Sequence, residues 1–231
     1  MAVLLKSVII WLTLLITALL GDILVEKITL ELPPKSLLRA TDTAVHGLIG
    51  GFSFWLTCIL CPELVLDVSY VLSCLGFENK WNKQRIILVD IIFNFSVAFM
   101  VSCIVDLDHI YKDIIHLIIT EPRVPWMRGF LHYSLPPLVL TFILYISAVV
   151  KHSMECLKLG TLIVVCIFSH HVRDGMHHGL WFQPLGTTSQ LPQWLYIFIT
   201  QMLPLGTSVI ASILLSRVKP SVSLPDEMYI V

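Results

Sequence analysis

Asp106, Asp108 and His109 stand together in Val105-Asp106-Leu107-Asp108-His109, and a second polar run, Ser169-His170-His171-Val172-Arg173-Asp174-Gly175-Met176-His177-His178-Gly179, follows an apolar stretch. Three smaller groups accompany them: Asp22, the pair Asp42 and His46, and Arg128 with His132 in Arg128-Gly129-Phe130-Leu131-His132. Imidazole and carboxylate are the ligands that Zn²⁺ and other first-row divalent ions take. Asp106 and His109 are three residues apart, and Asp42 and His46, His170 and Asp174, and Asp174 and His178 are each four apart. Those intervals place two side chains on one face of a helix. Three or four helices presenting such pairs inward would supply the ligands for one ion, or for two as in metal-assisted hydrolysis. The planar fork of Arg128 suits an anionic substrate oxygen or a ligand carboxylate.

Taken one at a time, these residues need no more than a neighbour to pair with, as Asp42 with His46 or Asp22 beside Lys27. Taken together they point to one metal or ligand site. The doublets His170-His171 and His177-His178 cannot direct all four rings to one side of a helix, so two or three of them have supporting roles. His116 and His152 belong to no cluster and read as interfacial residues.

The elements that must position these groups follow from composition. The 231 residues hold 15 Lys/Arg and 16 Asp/Glu, 13% charged against 56% hydrophobic, with a mean hydropathy of +0.84. A soluble domain carries about 25% charge, so this chain reads as an integral membrane protein. The net charge of −1 and the lack of a basic block argue against nucleic acid as a partner. Six cysteines lie mostly inside apolar runs and read as small core residues, Cys58-x-x-Cys61 included.

A spanning helix needs about 20 apolar residues, and six stretches qualify: 2–21, 44–61, 86–105, 129–150, 157–170 and 194–216. The predicted architecture is all-α and polytopic, with about six transmembrane helices in a single membrane domain covering 1–231. The segment 64–77, led by Pro62 and broken by Asp67, reads as interfacial, and so does Gly179-Leu180-Trp181-Phe182-Gln183-Pro184-Leu185-Gly186 before the last span. The latter is placed to roof the polar cluster and leave access from the membrane. Asn94-Phe95-Ser96 has the glycosylation pattern but falls inside a span. With six alternating spans all five polar groups share one face. Lys/Arg divide seven to eight between the two sides, too evenly to orient the chain.

The motifs carry a resemblance. Ser169-His170-His171-Val172-Arg173-Asp174-Gly175, His178-Gly179-Leu180-Trp181, Pro184-Leu185-Gly186 and Leu191-Pro192-Gln193-Trp194-Leu195-Tyr196 resemble the transmembrane protein 267 family. Asp42-Thr43-Ala44-Val45-His46, Asp106-Leu107-Asp108-His109 and Phe130-Leu131-His132 do too. The likeness runs in order from about 22 to 200, with 62–84 the least matched. It implies a multi-pass membrane protein and no particular activity. A more distant similarity is to the bacterial YdjM-like inner-membrane family of metal-dependent hydrolases. It would place that family's motif residues on His46; on Asp106, Asp108 and His109; on Arg128, Gly129 and His132; and on Ser169, His170 and Asp174. Met127 stands where that family has a further histidine.

The expectation is therefore a His/Asp site at one membrane face, with His46, Asp106, Asp108, His109, His132, His170 and Asp174 as ligands of Zn²⁺ or another divalent metal. Asp108 or Asp174 would deprotonate water, Arg128 would steady developing charge, and a lipid-like substrate would enter from the bilayer. The alternative is a scaffold or a carrier of small solutes or metal ions using the same cluster. A carrier needs polar residues deep within spans, and here Asp90 and Asn94 are the ones found.

Overall fold

Leu4, Leu5, Ile9, Leu12, Ile16 and Leu20 turn outward and stay exposed along one long helix, the signature of a surface made for lipid. The computed structural model describes residues 2–30, 35–66, 83–109 and 129–218. Over these the chain forms six long helices: α1 (Ala2–Leu30), α2 (Lys35–Leu60), α3 (Lys83–Ile104), α4 (Leu135–Val150), α5 (Met154–His178) and α6 (Gln193–Val218). Five of them are long and apolar enough to cross a membrane, and α4 is a shorter apolar helix. At 1.5 Å per residue its 16 residues reach about 24 Å, less than the roughly 30 Å hydrocarbon core. The chain is an integral, multi-pass, all-α membrane protein.

α2 packs against α1, α3, α5 and α6, and α5 against α2, α3, α4 and α6, so α2 and α5 form the inner pair. Close approach of α2 to α3 rests on small residues. A Cβ at Gly47 would meet Phe99, one at Gly50 would come within 2.6 Å of Ser102 Cβ, and one at Gly51 would strike Phe95. Without a hydrophobic force between helices in lipid, such backbone proximity is what packing must supply. An apolar core of Phe54, Cys58, Leu157, Val165 and Cys166 fills one part of the bundle, and Leu14, Ala18, Val45, Ile49, Val172 and Tyr196 another. Cys58 and Cys61 are buried and free. Asn94 is buried, with its amide holding the main chain of Leu66 at 2.8 and 3.0 Å and the Asp90 carbonyl at 2.8 Å. It therefore fastens the segment after the turn Pro62–Leu64 to α3.

Helix ends differ from the sequence expectation where polar groups are paired. α1 continues past Gly21 to Leu30 and α5 past His170 to His178, because Asp22 and Arg173 meet inside the bundle. The predicted fourth span, 129–150, divides into a 3₁₀ turn at Phe130–His132 and the helix α4. Prolines in the first turn of α4 suit a helix start, where their missing N–H costs nothing. Of the predicted interfacial segment 64–77, only residues through 66 lie within the described residues, and His116 lies outside them.

Candidate metal centre

Past Ile104 the backbone of α3 tightens to i→i−3 hydrogen bonds, Asp106 N to Cys103 O at 3.1 Å and His109 N to Asp106 O at 3.0 Å. The tighter turn accompanies an inward Asp106, only 8% exposed. The 3₁₀ turn that carries His132 is clamped from three sides. Leu131 N donates to Asp108 Oδ2 at 2.9 Å, His171 Nε2 donates to Leu131 O at 3.0 Å, and Ser134 N donates to Trp181 O at 2.7 Å. The strap after α5 therefore braces the His132 turn through its backbone. Gly179 lets the chain leave α5 with φ +74°, and a Cβ there would fall on the Thr188 carbonyl oxygen; only glycine fits both demands.

His46 from α2, Asp106 after α3, His132 from the turn and His170 and Asp174 from α5 converge. His46 Nε2 lies 3.2 Å from Asp174 Oδ1, His132 Nε2 3.4 Å from Asp174 Oδ2, and His170 Nε2 3.6 Å from Asp106 Oδ1. The rings of His46 and His170 stack with centroids 3.6 Å apart. None of these three Nε2 atoms has a hydrogen-bond partner despite full burial, and neither does Asp106 Oδ2. Buried polar groups left unsatisfied are costly and call for an explanation such as an ion.

The other ring nitrogens identify which lone pairs face inward. His170 Nδ1 donates to the Ser102 carbonyl at 2.9 Å, and His132 Nδ1 donates to Asp108 Oδ2 at 3.0 Å. With Nδ1 so engaged, each ring turns its Nε2 toward the carboxylates of Asp106 and Asp174. A bare nitrogen facing carboxylate oxygens is repelled unless a cation, a proton or a metal ion, lies between them. Orientation by a main-chain carbonyl or a carboxylate is also how proteins prepare metal-binding histidines. His46–Asp106–His170, His132–His170–Asp174 and Asp106–His109–His132 each bring their ligand atoms within 4.8 Å of one another and could hold a metal ion.

His109 is half-exposed at the edge, its Nε2 3.8 Å from Asp106 Oδ1. Asp108, expected among the ligands, has Oδ2 held by Leu131 N and His132 Nδ1 and is in none of the three groups. Asp22 and Asp42 are occupied by Arg173, whose Nε and Nη1 donate at 2.9 and 2.7 Å. His177 and His178 are exposed at the end of α5, and Arg128 lies outside the described residues.

Sequence reasoning passed over Ser102 and the pairing role of Arg173. Ser102 is one helical turn before Asp106, a spacing that could have drawn it in. Its hydroxyl donates to the carbonyls of His46 at 2.9 Å and Cys166 at 3.1 Å, tying α3 to α2 and α5. Replacement by alanine should cost only about 0.6 kcal/mol, the average for such bonds in a membrane, and leave His170 oriented, because its partner is the main-chain carbonyl. Thermal unfolding in detergent, with a metal titration alongside, checks both halves; a loss much above that figure would make the hydroxyl a principal tie among the three helices.

Over 180 aligned residues the chain is 31% identical to "Transmembrane protein 267" of Bos taurus, covering 72% of this chain and 66% of that protein. It is 30% identical over 176 residues to the protein of the same name in Danio rerio, covering 75% and 67%. A shorter match of 83 residues at 41% identity links it to the Xenopus laevis protein, covering 32% and 39%. The chain thus spans about two thirds of the length of the bovine and Danio rerio relatives. No protein-family model matches it and no solved structure does, so the likeness to bacterial hydrolases rests on its motif residues alone.

Proposed function

We propose that this chain, which belongs to the transmembrane protein 267 family, holds a divalent metal ion at one end of its helix bundle and uses it to hydrolyse a lipid-like substrate. The observation that carries this reading is the set of orphaned Nε2 atoms on His46, His132 and His170, turned toward Asp106 and Asp174. The donor set, imidazole nitrogens and carboxylate oxygens, suits zinc, manganese or iron. An ion held there would supply Lewis acidity and water activated at neutral pH.

The chain's own groups have separate tasks. His46, His170 and Asp106 hold the ion. His132 does so with its tautomer set by Asp108, which is a positioning residue. Asp174, its side chain 15% exposed, is the carboxylate available to accept a proton from water. Arg128, adjacent in sequence to Gly129, is assigned the developing negative charge. Support for a lipid-like substrate comes from the apolar residues beside the ligands: Leu107 is 50% exposed, between Asp106 and Asp108, and Phe130 is 66% exposed, two residues before His132.

Elemental analysis of the full chain purified in detergent with supplied Zn²⁺ or Mn²⁺ tests the first half. The wild type should retain metal and the Asp106→Ala/His170→Ala double variant should lose it; a wild type without metal, or a double variant that keeps it, would sink the metal reading. Turnover of a fluorogenic phospholipid in mixed micelles tests the second half. Metal-loaded protein without turnover that chelation abolishes would refute the hydrolase and leave a metal-binding membrane protein.

A further inference from the structure

The ligands outnumber what one zinc ion takes. Zinc is four-coordinate in most protein sites and keeps a position open where it is catalytic, yet the centre offers His46, His109, His132, His170, Asp106 and Asp174. Asp106 is shared by two of the three groups: its Oδ1 is 3.6 Å from His170 Nε2, and 3.8 and 3.9 Å from His109 and His132 Nε2. His109 and His132 lie side by side, ring centroids 5.0 Å apart, while His46 stacks on His170.

We infer that the centre holds two divalent ions bridged by Asp106, one on His46 and His170 and the second on His109 and His132. The inference rests on the reading above that the cluster binds metal at all. A bridging carboxylate uses both oxygens, and Asp106 Oδ2 is buried without a hydrogen-bond partner. Each half also has a histidine prepared for it. His170 is oriented by the Ser102 carbonyl on the first side, and His132 by the Asp108 carboxylate on the second. Half-exposed His109 makes the second position the more open one, through which an ion or a substrate oxygen can enter. Paired ions about 3.5–4 Å apart clamp the attacking and leaving oxygens of a displacement, which favours a phosphate ester over other lipid-like substrates.

The test uses the full chain in detergent, stripped with chelator and titrated with Zn²⁺ and, separately, Mn²⁺. The wild type should take up about two ions per chain, and the Mn²⁺ form should show the electron paramagnetic resonance of an exchange-coupled pair. His109→Ala, at a half-exposed position where folding is not at stake, should bind one ion and show the spectrum of isolated Mn²⁺; His109→Asp should restore the pair. A wild type saturating at one ion, or His109→Ala retaining two, overturns the bridged pair and leaves the single-ion reading standing. A wild type that binds none overturns both.

Discussion

Arg173→Ala should lower the stability of the detergent-solubilised protein by about 3–5 kcal/mol, the range for removing one partner of a buried ion pair, read from denaturant or thermal unfolding against wild type. The guanidinium is 2% exposed and reaches Asp22 of α1 at 2.9 Å through Nε and Asp42 of α2 at 2.7 Å through Nη1. It thereby joins α1, α2 and α5 at the end where the candidate centre lies. Without it the Asp22 side chain, 12% exposed, keeps a charge with no counterion, while Asp42 at 40% regains water. Most of the cost therefore falls on Asp22. The released Asp42, whose Oδ2 is already 3.9 Å from His46 Nε2, would turn toward that ring. The triple variant Arg173→Met, Asp22→Asn, Asp42→Asn should recover most of the loss, since an uncharged, well-packed replacement of a buried ion group is often neutral. A single variant as stable as wild type would show that these helices are held by packing alone.

The same pairing shows what the sequence could and could not disclose. Charge scarcity and apolar runs were enough to place six helices, and the convergence of His46, Asp106, His132, His170 and Asp174 followed from where rare polar groups interrupt those runs. The division of labour among them was hidden. Asp106 and Asp108 are two residues apart and both buried, and which of them meets the histidine Nε2 atoms depends on a backbone that tightens after Ile104, a feature no spacing rule anticipates. Asp22 and Arg173, 151 residues apart, could be listed as polar but not matched, because ion pairing across a bundle is decided by helix rotation. For the same reason the ends of α1 and α5 were placed too early: polar residues that look like span boundaries in sequence are interior when they satisfy one another. The His132 turn was legible as a polar opening to the fourth span, yet its clamping by Asp108, His171 and Trp181 is tertiary.

That division yields the second large effect. Asp108→Ala should leave the number of metal ions unchanged and weaken their binding by about 10–100-fold, the usual cost of removing the group that orients a ligating histidine. Competition with a chromophoric chelator measures it. Two roles expected of Asp108 from sequence predict otherwise: a ligand would take stoichiometry with it, and a general base would reduce turnover at unchanged affinity. Asp108→Asn separates the cases further. The amide oxygen can still accept from His132 Nδ1 and Leu131 N, so much of the affinity should return, whereas a lost carboxylate ligand or base would not be replaced by an amide. Gly129 supplies an independent handle, because a Cβ at that position would land on the Asp108 carboxylate. Gly129→Ala should therefore push Asp108 off His132 and weaken metal binding in the same direction as Asp108→Ala. In the Asp108→Ala background the alanine at 129 should add little, since the group it displaces is already gone; additive losses would mean that Gly129 acts on the turn itself and not through the carboxylate.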